Sequence, residues 1–130
     1  MRTGLHRERI EYFLKELVPV AEAAGVRLAA HPNDPPVQEM RGMASILYKP
    51  ENYQRLLDIV PSASNTCEFC QGTVSEMVEG DEGIYDTIRQ YGGQDKISYV
   101  HFRNGEPFRE SDTRETENCE LYTQNSNSPL

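Results

Sequence analysis

Apolar positions along the first hundred residues follow two different spacings. Residues 8–24 carry apolar side chains three and four positions apart, which predicts a helix with one buried face. That face comprises Ile10, Phe13, Leu14, Leu17, Val18, Ala21 and Ala24. Gly25 is a natural stop. Two more segments, 51–60 and 83–92, show the same spacing and predict two further helices. Their inward positions are Tyr53, Leu56, Leu57 and Val60 in the first, and Ile84, Ile88 and Tyr91 in the second.

Three short segments alternate with these helices and predict strands, the first of them buried. They read "VRLAAH" at 26–31, "NTCEFC" at 65–70 and "KISYVHFR" at 96–103. The order helix, strand, helix, strand, helix, strand predicts an α/β fold with parallel strands and right-handed crossovers. The intervening segments 32–50 and 71–83 are predicted to be loops, and a loop as long as the first is functional or disordered.

The pattern ends after residue 103. Residues 104–130 are polar and show neither spacing, which predicts a disordered tail. We therefore divide the chain into a structured domain, 1–103, and a disordered or unrelated tail, 104–130.

Composition narrows the classes of partner. The chain has 13 basic and 21 acidic residues, a net charge of −8, and no basic cluster of the kind that binds nucleic acid. No segment has the length and apolarity of a membrane span or the apolar centre of a signal peptide. Three cysteines, an odd number, argue against a disulfide framework and favour a reducing cytoplasm.

One set of side chains can carry chemistry, because each lies at or near the end of a predicted strand. His31 ends the first strand, Cys70 ends the second and His101 lies near the end of the third. In parallel sheets and βα barrels the carboxyl ends of the strands gather on one face, where sites are built. Imidazole and thiolate are good ligands for Zn²⁺, Mn²⁺ or Fe²⁺. Taken singly, each is as well explained as a core or loop residue.

The residues around this set refine the prediction. In a strand, residues three apart face opposite sides, so Cys67 and Cys70 are not expected to share an ion, whereas Glu68 lies on the side of Cys70. Arg103 follows His101 by two and offers a fork for a carboxylate substrate, although a surface ion pair explains it equally well. Asp34 follows His31 closely. We take Arg103 and Asp34 as the catalytic candidates.

Four segments resemble the mannonate dehydratase family in order and spacing. "AAHPNDPP" is similar to its His-Pro-Asp-Asp-Pro-Pro segment, and "FCQGT" to its Cys-x-Gly-[Ser/Thr] segment. "YVHFRN" resembles its His-x-Arg-Asn segment, and "GMASILYKPENYQRLLDIVPSASN" resembles its Gly-Leu-Pro-Arg-Ile loop and the helix behind it. The resemblance covers about residues 8–105.

The resemblance implies a metal-dependent lyase on a (β/α)8 TIM barrel. Such an enzyme removes water from the aldonate D-mannonate, gives 2-dehydro-3-deoxy-D-gluconate in hexuronate breakdown, and uses Mn²⁺ or Fe²⁺. The family's metal-binding His, Cys and His fall on His31, Cys70 and His101, and its fourth ligand is an Asp from a later strand. Full-length members are expected to be homo-oligomers.

Several departures from the family shape further expectations. Asn33 stands where the family usually has an Asp, residues 104–130 do not resemble its continuation, and the chain has room for about three of eight βα units. We therefore expect a fragment that binds metal weakly, turns over no mannonate alone and associates through open sheet edges. Two alternatives stay open. One is a xylose-isomerase-like sugar isomerase or epimerase, which an acidic ligand at Glu68 would favour, and the other is a non-catalytic remnant.

Overall fold

A computed structural model describes residues 2–103, which form four helices, a three-stranded sheet and a small hairpin. In chain order the elements are α1 (Arg2–Ala24), β1 (Leu28–Ala30), β2 (Glu39–Met40), β3 (Met43–Ala44), α2 (Pro50–Ile59), β4 (Asn65–Cys70), α3 (Gln71–Met77), α4 (Gly80–Gly92) and β5 (Ile97–His101). The predicted tail, 104–130, lies outside the described residues.

The main sheet has the order β1-β4-β5, and both of its pairings are parallel. Helix α2 connects β1 to β4, while α3 and α4 connect β4 to β5. The predicted α/β alternation is therefore confirmed. Because all three strands run the same way, their carboxyl ends lie along one edge, with Cys70 directly paired to His101.

The core lies between one face of the sheet and the helices α1, α2 and α4. Its buried members are Leu14, Val18, Leu47, Tyr53, Leu56, Leu57, Cys67 and Tyr91. Two polar groups at its border are paired: the Tyr91 hydroxyl donates to the Pro50 carbonyl at 2.5 Å, and the buried Asn65 amide donates to the Val60 carbonyl just past α2 at 3.0 Å. These contacts fix α2 and α4 against the sheet.

The two predicted loops contain structure that the sequence pattern did not indicate. Segment 32–50 holds the antiparallel pair β2-β3, turned by Arg41 and Gly42 at positive φ values of 50° and 75°. Two positive φ values suit the tight turn of a hairpin. Segment 71–83 holds α3 and the start of α4. Strands of two residues and a helix of seven are too short to produce a recognisable period.

Some predicted core positions are exposed in the described part of the chain. Phe13 is 52% exposed and Ile88 is 40% exposed, although helical spacing put both on buried faces. The strand predicted as buried, β1, is only half-buried. The partial burial of β1 fits its place at an edge of the sheet, since β1 and β5 each pair on one side only within residues 2–103. Association through these edges stays a prediction.

Helix α1 is the longest helix, with 23 residues, and begins earlier than its predicted start at residue 8. It carries charged side chains along most of its length. Across residues 2–103, no helix combines the length and apolar character that crossing a membrane would require.

Candidate metal centre

The three side chains predicted as metal ligands meet at the carboxyl edge of the sheet. One donor atom from each of His31, Cys70 and His101 lies within 4.8 Å of the other two. The Cys70 Sγ is 3.5 Å from the His101 Nδ1. The thiol is fully buried and both imidazoles are exposed. The cluster is therefore closed on the side of Cys70 and open to solvent on the side of the two histidines.

His31 follows β1 directly, and a backbone contact decides its tautomer. Its Nδ1 is 2.6 Å from the carbonyl oxygen of Pro32. A carbonyl can only accept, so we assign the proton to Nδ1. In the neutral ring Nε2 then carries the free lone pair, which is the form that binds a metal. This Nε2 lies 3.7 Å from the Glu68 Oε1.

Cys70 ends β4 and immediately precedes α3, so its thiol receives donors from two directions. The Thr73 hydroxyl, one turn into α3, donates to Sγ at 3.1 Å. The Arg103 Nε donates to the same sulfur at 3.5 Å. The Cys70 sulfur thus accepts two hydrogen bonds beside the two imidazoles. A cysteine binds a metal through its thiolate form.

Arg103 and Asp34, the two catalytic candidates, form an ion pair with each other. The guanidinium Nη2 lies 2.5 Å from the Asp34 Oδ2 and donates to the Thr73 Oγ1 at 3.0 Å. The hydrogen bond to Cys70 raises the pKa of Arg103, burial opposes this, and the charge of Asp34 adds to the rise. The structure therefore places both candidates beside the predicted ligands.

Three neighbours of the centre were given no role from the sequence, although two of them belong to the segment "FCQGT", and all lie on α3. Thr73 donates to Cys70, and Glu76 lies 3.8 Å from the Arg103 Nη2. Burial raises the pKa of the Glu76 carboxyl, and the charge of Asp34 raises it further. Gly72 leaves room for Arg103, since a Cβ there would lie 2.7 Å from its Cγ. A helix starting after Cys70 would have revealed them, because Cys70 and Thr73 are one turn apart.

Asn33 shapes the loop that follows β1. Its side-chain oxygen accepts from the backbone N–H groups of Ile46 and Leu47, at 3.0 and 2.8 Å. These bonds hold the hairpin segment against the strand end that carries His31. The described contacts of Asn33 are therefore structural.

The two cysteines of "CEFC" face opposite sides of β4, as strand alternation predicted. Cys67 lies in the hydrophobic core, where burial raises its pKa to about 12. Glu68 lies on the side of Cys70 and approaches His31. Only the side holding Glu68 and Cys70 contributes to the centre.

The donor set fits a divalent ion of borderline softness. A metal bound to sulfur at about 2.3 Å and to nitrogen at about 2.1 Å with a tetrahedral angle holds the two donors about 3.6 Å apart. The Cys70–His101 spacing of 3.5 Å matches that value. Two imidazoles and one thiolate form a donor set used by Zn²⁺, Fe²⁺ and related ions.

Comparison with known proteins points to one enzyme family. The family model of D-mannonate dehydratase (UxuA) matches residues 3–125, beyond the domain boundary predicted at residue 103. A mannonate dehydratase of Endomicrobium trichonymphae is 33% identical over 84% of this chain and 29% of its own length. One of Thermotoga petrophila is 37% identical over 75% of this chain and 26% of its own length.

A solved structure gives the same result for the fold. The crystal structure of mannonate dehydratase from Streptococcus suis serotype 2 matches with a TM-score of 0.61 and 29% identity, over 69% of this chain and 25% of that one. The parallel sheet and its helices thus correspond to part of a (β/α)8 barrel. The chain spans between a quarter and 29% of the length of these relatives. With the family model matching most of its residues, the chain belongs to the D-mannonate dehydratase family.

Proposed function

We propose that this chain carries the metal-binding segment of a mannonate dehydratase, with His31, Cys70 and His101 holding one Mn²⁺ or Fe²⁺ ion. The observation that carries the proposal is the approach of their three donor atoms to within 4.8 Å at the carboxyl edge of a parallel sheet. This edge is where barrel enzymes build their sites. Membership of the D-mannonate dehydratase family supplies the reaction.

The proposed reaction removes water from D-mannonate. The C2–H bond breaks beside the carboxylate, a C2–C3 double bond forms, and the C3 hydroxyl leaves with a proton as water. The resulting enol becomes the 2-keto group of 2-dehydro-3-deoxy-D-gluconate, an intermediate of hexuronate breakdown. When bound, the metal supplies Lewis-acid polarisation of the carboxylate and its neighbouring hydroxyl.

The side chains of this segment would orient the substrate and move protons. Arg103 presents a guanidinium that now pairs with the carboxylate of Asp34, and a substrate carboxylate offers the same two oxygens. Asp34 would then be released to exchange a proton. Glu76, whose pKa is raised by burial, is a second group able to hold a proton close to Arg103.

Titration of the full 130-residue chain with Co²⁺ tests the metal site. Co²⁺ bound by a thiolate gives a charge-transfer absorption that reports the sulfur ligand directly. We expect this absorption in the native chain, its loss in Cys70→Ala, and weaker binding in His31→Ala and His101→Ala. His6→Ala removes the remaining histidine, which lies on α1, and serves as the matched control. Equal affinity in all five proteins would contradict the proposal.

Turnover is a separate question, because the chain spans only 26–29% of the curated relatives' length. We expect no measurable dehydration of mannonate by this chain alone with Mn²⁺. Formation of the 2-keto-3-deoxy acid, followed by a colour reaction for 2-keto acids, checks this. Product formation that depends on Cys70 would contradict the expectation.

A second candidate function is a sugar isomerase or epimerase with similar metal chemistry. The observation in its favour is the carboxylate of Glu68, which faces the centre beside His31. Aldose–ketose interconversion of a hexuronate in the presence of Mn²⁺ would distinguish this reaction from dehydration. The free thiols Cys67 and Cys70 suit a reducing compartment, and we place the enzyme in the cytoplasm. Homo-oligomer formation stays a prediction.

A further inference from the structure

We infer that Thr73 is a positioning residue whose hydroxyl joins the Arg103 guanidinium to the Cys70 sulfur. Together with Gly72 it forms what we call the Arg103 seat, in the first turn of α3. The seat is a property of the chain itself and is testable without metal. Its effect on a bound ion and on a substrate carboxylate rests on the proposed function.

The hydrogen bonds of Thr73 can run in one direction only. The Arg103 Nη2 donates to the Thr73 Oγ1 at 3.0 Å, and a guanidinium has no lone pair with which to accept. The single hydroxyl proton is therefore available to the Cys70 Sγ, which lies 3.1 Å from the Thr73 oxygen. The Thr73 side chain is fully buried, so bulk water does not compete for either bond.

A second contact closes this arrangement into a ring. The Arg103 Nε donates to the Cys70 Sγ at 3.5 Å, while its Nη2 is held by Thr73. Two nitrogens of one planar, rigid group are thus fixed by two separate acceptors, which sets the orientation of the guanidinium plane. The Nη2 held in this way also meets the carboxylate of Asp34 at 2.5 Å. The seat therefore decides where the guanidinium offers its donors to a carboxylate.

The missing side chain of Gly72 gives the stem of Arg103 its place. A Cβ on Gly72 would lie 2.7 Å from the Arg103 Cγ and 2.9 Å from its Nε, which is closer than real Cβ atoms approach. These atoms belong to the middle of the arginine side chain, so turning its free end would not relieve the clash. Glycine is less favourable than alanine inside a helix. The close approach of Arg103 is a physical reason for its presence in α3.

The competing explanation is that Thr73 only fastens the start of α3. Cys70 is the residue that caps this helix, and Thr73 lies three positions further on, within reach of it. In that case loss of the hydroxyl lowers the stability of the chain but leaves the orientation of Arg103 unchanged. If Thr73 is a positioning residue, loss of the hydroxyl also releases the guanidinium.

The first measurement follows the Arg103 Nε–H in proton–nitrogen NMR spectra of the metal-free, full 130-residue chain. Arg103→Lys removes this group and so identifies its signal. We expect Thr73→Val, which keeps the shape but not the hydroxyl, to speed exchange of the Nε–H with solvent roughly two- to tenfold, the effect of one hydrogen bond. Thr73→Ser is expected to restore slow exchange. The Nε–H of Arg27, which donates to the Ala63 carbonyl, is the internal reference and should not change.

Two further variants control for packing and for space. Thr87→Val makes the same chemical change at a threonine that is 3% exposed and donates to the Gly83 carbonyl within α4. It is expected to leave the Arg103 signal as in the native chain, whatever it does to the melting temperature. Gly72→Ala is expected to shift the Arg103 signal and speed its exchange, because the added methyl occupies the place of the arginine stem.

The second measurement is Co²⁺ binding by the same variants. Removing a group that hydrogen-bonds to a metal ligand costs about tenfold or more in affinity, so we expect a loss of that size in Thr73→Val. The thiolate-to-cobalt absorption should also move to longer wavelength, because the sulfur loses a donor that lowers the energy of its lone pairs. Thr73→Ser should return both properties to native values.

Each outcome decides a separate part of the inference. Native Nε–H exchange in Thr73→Val overturns the positioning role, and with a lowered melting temperature it establishes the helix-start explanation. Fast exchange that Thr73→Ser does not correct shows that the hydroxyl is not the cause, and also overturns it. An unmoved cobalt band in Thr73→Val overturns the link to the Cys70 sulfur. If the native chain gives no thiolate band, the proposed metal site is wrong, and the Nε–H signal alone decides whether the seat exists.

Discussion

Cys67 and Cys70 lie three residues apart on one strand and occupy opposite environments. Cys67 is 2% exposed and packs among the apolar side chains beneath the helices. Cys70 is fully buried as well, yet its sulfur receives hydrogen bonds from Thr73 and Arg103 and lies 3.5 Å from an imidazole. We call these two sides of β4 the core face and the site face.

The difference between the faces shows that burial alone does not decide what a thiol can do. On the core face, burial raises the pKa of Cys67 to about 12, although Lys96 pulls it the other way, and the group stays a neutral thiol. On the site face, donors and a basic side chain surround the sulfur of Cys70. The partners within hydrogen-bonding distance therefore distinguish Cys67, which fills apolar space, from Cys70, which we propose as a metal ligand.

The largest expected effect is a loss of stability in the core cluster to which Cys67 on the core face belongs. Leu57→Ala truncates a side chain that is 3% exposed and contacts the core cluster. Removing a buried leucine side chain costs about 2–5 kcal/mol of unfolding free energy. Urea denaturation measures this loss, and Phe13→Ala is the control. Since Phe13 is 52% exposed, its truncation should change stability by no more than about 0.5 kcal/mol.

A comparable loss in Phe13→Ala would mean that this side chain is covered in solution, for example by association of the chain. The outer surface of α1 would then belong to a second core, in addition to the one that borders the core face of β4. The same denaturation at several protein concentrations distinguishes association from a change within one chain.

The second prediction exchanges the two cysteines for alanine, one at a time. Cys70→Ala should lower Co²⁺ affinity by a factor of about 10–100, which corresponds to about 1.4–2.7 kcal/mol of binding free energy. The stability of the metal-free protein should change little. Cys67→Ala should leave affinity unchanged and lower the unfolding free energy, because it opens a small cavity in the core. Calorimetric titration and urea denaturation of both variants check the separation. Equal effects on affinity would mean that the faces are coupled through β4.

Strand alternation made the two faces predictable from the sequence. β4 is present at Asn65–Cys70 as predicted, and a period of two fixes which side each of its residues takes. The ends of successive parallel strands meet at one edge in any βα unit, so His31, Cys70 and His101 could be brought together without knowledge of contacts. These inferences need only local geometry and chain order.

Strand alternation and chain order could not predict which other residues lie next to the centre. Thr73 and Glu76 approach Arg103 and Cys70 because α3 starts at Gln71, and a helix of seven residues with Gly72 inside it gives no periodic signal. The predicted burial of Phe13 and Ile88 was wrong for another reason. Helical spacing says which residues share a face, whereas the elements that cover that face decide whether it is buried.

The smallest expected effect is the pH dependence that the core face imposes on stability. The pKa of Cys67 is raised from about 9 in the unfolded chain to about 12 in the folded one, so the folded state holds the proton more tightly. Raising the pH through 9 then ionises the unfolded chain first, and stability falls by about 1.4 kcal/mol per pH unit. Below pH 9 the group contributes no slope.

Urea denaturation at pH 8, 9 and 10 measures this slope, and the difference between the native chain and Cys67→Ala isolates it from other groups that titrate. The range stops at about pH 10 because Tyr91, whose pKa burial raises to about 12, adds a slope of the same sign above its ordinary value. An identical slope in Cys67→Ala would show that the Cys67 thiol ionises as easily folded as unfolded. Solvent or a donor would then reach the core face, and the contrast between the two cysteines would be one of degree.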